Sequence, residues 1–228
     1  MKTPESRALA ACLAGASFLA PGTLADVSLV EYRVNRDGAL GTTLPAGSTF
    51  DPATGLGALT LTFDTAGPHY GGLFVDHELS EALNTFFNET GATSAGALPA
   101  GLSYEIDEPD LVTGNIYANF AANTLDNGVG TPNTVFPDDV SMALMWNIVL
   151  AAGETAAVEF VVSENPLAGF YLIHTDPDSQ EALYFGSTLT IRASPNPSGG
   201  EIPEPGTVAA GLAFAALAAG CTVRRTRR

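Results

Sequence analysis

"WNIVLAAGETAAVEFVV", residues 146–162, is the stretch that decides the fold. Trp146, Ile148 and Leu150 precede Ala151-Ala152-Gly153-Glu154, and Ala156, Val158, Phe160 and Val162 follow it. An apolar side chain at every second position turns one face of each segment to a core and the other to water, the period of a half-buried β-strand. Gly153 can take the positive φ of a short connection, so the spacing predicts two strands joined as a hairpin.

Working outward, the same alternation recurs at 58–63, 72–79, 101–106, 115–120, 140–150, 169–175 and 182–193, with Gly, Pro, Asn and Asp between the runs. No helical segments alternate with them, so the pattern predicts a mainly β domain, an antiparallel β-sandwich over 26–193. "LSEALNTFFNET", residues 79–90, places Leu79, Leu83, Phe86 and Phe87 at helical spacing, with Ser80 or Asp76 as cap. It predicts one short helix across an end of the sandwich.

The chain has 228 residues, nine of them Lys or Arg and 25 Asp or Glu. Only Arg33, Arg36 and Arg192 of the basic residues lie between 26 and 193, so the body is far more acidic than the ends. That charge argues against nucleic acid or an anionic membrane surface as its partner. Cys12 and Cys221 both fall in apolar terminal segments, which leaves the body without a thiol, a disulfide or a cysteine metal site.

At the N-terminus, Lys2 and Arg7 precede an apolar run from Ala8 to Ala20 and the small-residue exit Thr23-Leu24-Ala25. This is the pattern of a signal peptide over 1–25, cleaved after Ala25. Leu9-Ala10-Ala11-Cys12 spells a lipobox but lacks the apolar segment that must precede one. At the other end, residues 194–202 form a Pro/Gly/Ser linker. Pro203-Glu204-Pro205 follows, then residues 206–223 without a charge, then Arg224, Arg225, Arg227 and Arg228. Eighteen uncharged residues meet the minimum for a hydrophobic membrane helix, though Val208, Leu212, Phe214, Leu217 and Val223 favour insertion by only about 2–3 kcal/mol together. The arginines hold their end in the cytoplasm and place the acidic body across the membrane, the orientation a signal peptide also demands.

Over 203–228 the chain resembles the PEP-CTERM sorting tail of exported bacterial proteins. The resemblance implies a Gram-negative source and recognition by exosortase, a membrane-embedded transpeptidase-like enzyme, with Pro203, Glu204 and Pro205 as the recognised motif. Residues 67–91 and 169–185 also resemble the bodies of short PEP-CTERM proteins, and no activity comes with that likeness.

Candidate chemistry in the body is sparse. "HELSE" begins at His77 like a zincin helix, but Glu81 stands where the second histidine ligand belongs. His69 can be a third ligand only if His77 and Glu81 share a helix; otherwise His77 ends a strand beside a carboxylate. No G-x-S-x-G elbow, Walker loop or G-x-G-x-x-G occurs. Asp107, Glu108 and Asp110, then Asp138 and Asp139, then Asp176, Asp178 and Glu181 sit in turn-like stretches whose oxygens suit calcium. "DPDSQE" is not an EF-hand, because Glu181 replaces the glycine of the sixth position. Tyr70, Tyr104 and Tyr117 are candidates for stacking on sugars or for the core. Thr60 and Thr62 share a strand face, but no second threonine rank is visible beside them. These features predict a surface or matrix protein of structural, adhesive or polysaccharide-binding type, and not an enzyme. The alternatives are a secreted hydrolase built on carboxylates and a calcium-binding module.

Overall fold

A computed structural model describes residues 27–80, 88–109, 114–130 and 139–193. The terminal segments, with Pro203, Glu204, Pro205 and the apolar helix expected over 206–223, lie outside the described residues, as do Glu81, Asp110 and Asp138. The chain is mainly β. In order come β1 (Val27–Arg36), β2 (Ala39–Gly41), β3 (Gly57–Phe63), β4 (Gly67–Leu79), β5 (Thr90–Thr93) and β6 (Leu102–Asp107). They are followed by α1 (Ile116–Ala122), β7 (Gly128–Val129), β8 (Ser141–Leu150), β9 (Glu154–Ser163), β10 (Tyr171–Thr175) and β11 (Ala182–Ala193).

Two sheets result, one of order β2-β1-β4-β8-β6-β7 and one of order β3-β9-β11-β10-β5. All pairs are antiparallel except β6 with β7. Alternation does its expected work: Ala156, Val158, Phe160 and Val162 of β9 are all buried, as are Ile148 and Leu150 of β8. Together with Leu73, Val75, Met142, Leu144, Leu59, Leu61, Leu172 and Phe185, they form one core drawn from both sheets.

Three expectations change. β8 and β9 are not a hairpin. Gly153 does take φ 80°, and Glu154 N donates to Ala151 O across the turn. The link nevertheless carries the chain from one sheet to the other, because β8 pairs with β4 and β6 while β9 pairs with β3 and β11. Both strands have an inner apolar face, and stacking those faces buries more apolar surface than laying them side by side. Residues 115–120, read as a strand, contain most of α1. Ile116 and Phe120, four residues apart and both fully buried, sit on the outer face of the first sheet with Phe74, Ala143 and Met145. Asn123 ends the helix in the left-handed conformation. Of the helix expected over 79–90, Leu79 instead closes β4, Ser80 has φ 53° and Thr90 opens β5, while residues 81–87 lie outside the described residues.

Register fixes two poles. At one, Val27 lies opposite Leu79, Asp76 opposite Ser141, Ser141 opposite Asp107, and Thr175 opposite both Thr90 and Ala182. Val27, Leu79 and Leu183 pack together there and tie the two sheets. At the other, Arg36 lies opposite Gly71, Leu150 opposite Gly67 and Ala193 opposite Glu154. β1 therefore begins at the first pole and β11 ends at the second.

Candidate functional site

The strand ends bring the acidic turns to the first pole. Asp107 ends β6 and Glu108 follows it, Asp139 precedes β8, and Asp176, Asp178 and Glu181 join β10 to β11. Asp76 and Glu78 of β4 and Glu89 before β5 stand at the same end. Of the basic residues in the body, Arg36 and Arg192 are at the opposite pole, and Arg33 pairs with Glu31.

Many of these carboxylates are committed to the local backbone or to neutral donors. Asp176 is sealed and accepts bonds from Asp178 N at 2.8 Å and Ser179 N at 3.1 Å, which shapes its turn. Asp178 accepts from Asn88 Nδ2 at 2.8 Å, Glu181 from the Ser80 hydroxyl, and Asp107 from Asn115 N at 3.1 Å. Among the described residues, no three His, Asp or Glu side chains form a group able to hold a metal ion.

Beneath the turns lies a second polar layer. His174 Nε2 donates to Glu89 Oε2 at 2.6 Å, with both side chains excluded from solvent. Glu89 Oε1 also accepts from Leu79 N at 3.3 Å. Asp76 accepts from the Ser141 hydroxyl at 2.8 Å, and burial still pushes its carboxyl up to about 6. Burial, reinforced by Asp76, Glu78 and Glu89, pushes Asp139 up to about 8. An acid kept protonated near neutrality suits proton donation to a substrate, but only where a substrate can reach it. One groove of about 460 Å³ lies along Thr62, Asp64, Thr155, Thr190 and Arg192, and two others run beside Leu40 and beside Val30. Asp76 and Asp139 line none of these three, and each has one carboxyl at most.

The histidines do not converge on a metal. His77 is on β4 and not on a helix, only 1 % exposed, with neither ring nitrogen in a hydrogen bond of good geometry. It packs against the Thr54-Gly55 backbone, and burial holds it down at about 3, so it is neutral at ordinary pH. Among the described residues no carboxylate hydrogen-bonds to it, in contrast to the expectation from sequence. His69 sits at the other pole, 2.8 Å from Thr65 O and 3.1 Å from Asp37 Oδ2. Those two acceptors, Thr65 first, raise its pKa.

Of the tyrosines, Tyr104 packs on Phe170 and Tyr117 meets the edge of Phe74. Tyr70 joins the cluster under α1, so all three serve packing. What sequence reasoning missed is on the outer face of the second sheet. Thr60 lies opposite Glu159, which lies opposite Thr188, and Thr62, Ala157 and Thr190 form the next row. A second threonine rank thus exists on β11, with Glu159 standing between it and the first. The repeated Thr-x-Thr of "TLTF" and "TLTI" was its signal; only the strand order says that the two share a sheet.

No family model matches the chain, and no curated protein or solved structure matches it.

Proposed function

We propose that this chain is an exported protein, sorted through its PEP-CTERM tail to the cell surface or extracellular matrix. There a β-sandwich body serves a structural, adhesive or polysaccharide-binding role. The observation that carries the reading is the tail: Pro203-Glu204-Pro205, the uncharged run 206–223 and four arginines, in that order. On this reading the chain is a substrate of exosortase, and its terminal helix holds it in the inner membrane until it is processed.

The body supports the binding role. Its groove presents Thr62, Thr155 and Thr190 beside Arg192. The three hydroxyls make no side-chain bonds among the described residues and remain available to the hydroxyls of a sugar chain.

Terminal peptides and intact mass of the protein from each fraction of its host test the proposal. A C-terminus close to Pro203-Glu204-Pro205, in a surface or medium fraction, is the expected result. A chain intact to Arg228 and confined to the inner membrane overturns it. Retention of the processed protein on the host's own polysaccharide tests the binding role, and free passage through that matrix removes it.

A further inference from the structure

A sheet edge presents unpaired backbone groups, and stable proteins blunt or cover such edges. Most edges here are treated so. β1 is broken by a bulge at Val30, Leu29 N is bonded to Ala53 O, and the Glu31–Arg33 ion pair follows. On β3 two of the three outward carbonyls are occupied, that of Ala58 by Thr49 N and Phe50 N and that of Thr62 by the Arg36 guanidinium. β5 and β7 are only four and two residues long. On β8, the edge beyond β6 is capped by the bond from Asn147 N to Gly101 O.

β11 is the exception. β9 pairs with it from Tyr184 to Ala193, but β10 covers only Ala182 to Gly186. The other side of 187–193 has no strand partner among the described residues, and the stretch contains no proline, lysine or bulge. Ile191, on the same face as the buried Leu183 and Phe185, is 45 % exposed. From this geometry we propose that two copies of the chain pair antiparallel through residues 187–193 of β11, centred on Thr190, and so join their second sheets into one.

The backbone directions allow it. Ala58 O and Thr62 O point away from β9, so the odd residues of β3 bond to the even residues of β9 opposite them. The odd residues of β9 then bond to the even residues of β11. Ser187, Leu189, Ile191 and Ala193 are left directing N–H and C=O to the free side. In a pairing centred on Thr190 these four meet their equivalents in the second copy, Leu189 with Ile191 and Ser187 with Ala193, and every outward group finds a partner.

The side chains agree with a second copy as the occupant. Leu189 and Ile191 cover each other on the apolar face. On the polar face Arg192 of each copy lies opposite Thr188, one strand away from Glu159, and can reach that carboxylate. The sequence that follows carries Pro195 and Pro197, which lack the N–H that an added strand needs. One strand pair is short of the ~1,200 Å² usual for stable complexes, so the pairing depends on concentration, as on a crowded surface. Acidic bodies repel, so salt strengthens it.

Cysteine scanning reads the register directly. In the full chain with Cys12→Ser and Cys221→Ser, Thr190→Cys puts two thiols on a facing, non-hydrogen-bonded pair with Cα atoms ~4.5 Å apart, within disulfide range. Air oxidation is expected to give a disulfide-linked dimer for Thr190→Cys and only background for Thr188→Cys and Thr60→Cys, which are equally exposed on that face. Adding Ile191→Lys, a charge on an already exposed position, is expected to abolish the crosslink while the melting curve stays cooperative. No dimer at Thr190, or equal yields at all three positions, overturns the proposal.

Discussion

Asn35 is sealed from solvent, and its amide serves three contacts. Its Nδ2 donates to Phe120 O at 3.0 Å and Asn123 Oδ1 at 2.8 Å, and its Oδ1 accepts from Gly38 N at 2.9 Å. One side chain thus holds the end of α1 and the β1–β2 turn to the first sheet. Asn35→Ala strands those buried groups and is expected to cost about 1–3 kcal/mol, read from urea unfolding. Asp76 and Asp139 act in the opposite sense. Burial favours their neutral forms, at about 6 and about 8, whereas in the unfolded chain each ionises near an ordinary aspartate value of ~3.9. Their contribution to stability is complete below the unfolded value and is lost as pH rises through about 6 and then about 8. The melting temperature is therefore expected to fall from mildly acidic to alkaline pH, and Asp139→Asn to flatten the upper part of that fall. Identical profiles for the two proteins contradict this assignment.

Elements meet where side chains are absent as much as where they are present. Gly72 of β4 lies under α1, and a Cβ there would stand 2.8 Å from the Phe120 ring and 3.2 Å from Leu144 O. Gly72→Val is expected to lift α1 from the sheet at a cost of about 1–3 kcal/mol, with loss of near-UV circular dichroism. Trp146 Nε1 donates to Ser187 Oγ, which donates to Glu159 O, a polar stitch between the sheets. Removing it with Ser187→Ala leaves a buried N–H unpaired and is expected to cost about 1–3 kcal/mol in the same unfolding assay. Strand identity was legible because β9 and the last five residues of β8 alternate, yet period two says which face is buried and not which strand is the neighbour. The same short turn serves a hairpin and a sheet-to-sheet link, so the pairing of 146–162 was read wrongly. Residues 115–120 misled for a related reason: Ile116 and Phe120 fit both a two-residue and a four-residue spacing, and only Phe74 and Met145 beneath them select the helix. β1 escaped notice because the Val30 bulge breaks its alternation.

At the scale of the molecule, residues far apart in sequence share a pole because antiparallel strands return there. Asp107, Asp139 and Asp176 were individually conspicuous, but their neighbourhood with Asp76 and the Glu89–His174 pair follows from topology that no local pattern encodes. The opposite holds for the tail, whose reading is wholly local and rests on sequence alone. Export and sorting are therefore tested by mass and location, and self-pairing by disulfide capture on β11. The placing of the ends has a mechanical consequence. Val27 and Ala193 lie at opposite poles and on different sheets, so a pull between them runs along the strands and not across them. The hydrogen bonds of β1 with β4 and of β9 with β11 cross that line of force and share the load in shear, like the overlap of a lap joint, where peeling would break them one at a time. A pull applied between Val27 and Ala193 is therefore resisted better than one that peels the strands apart.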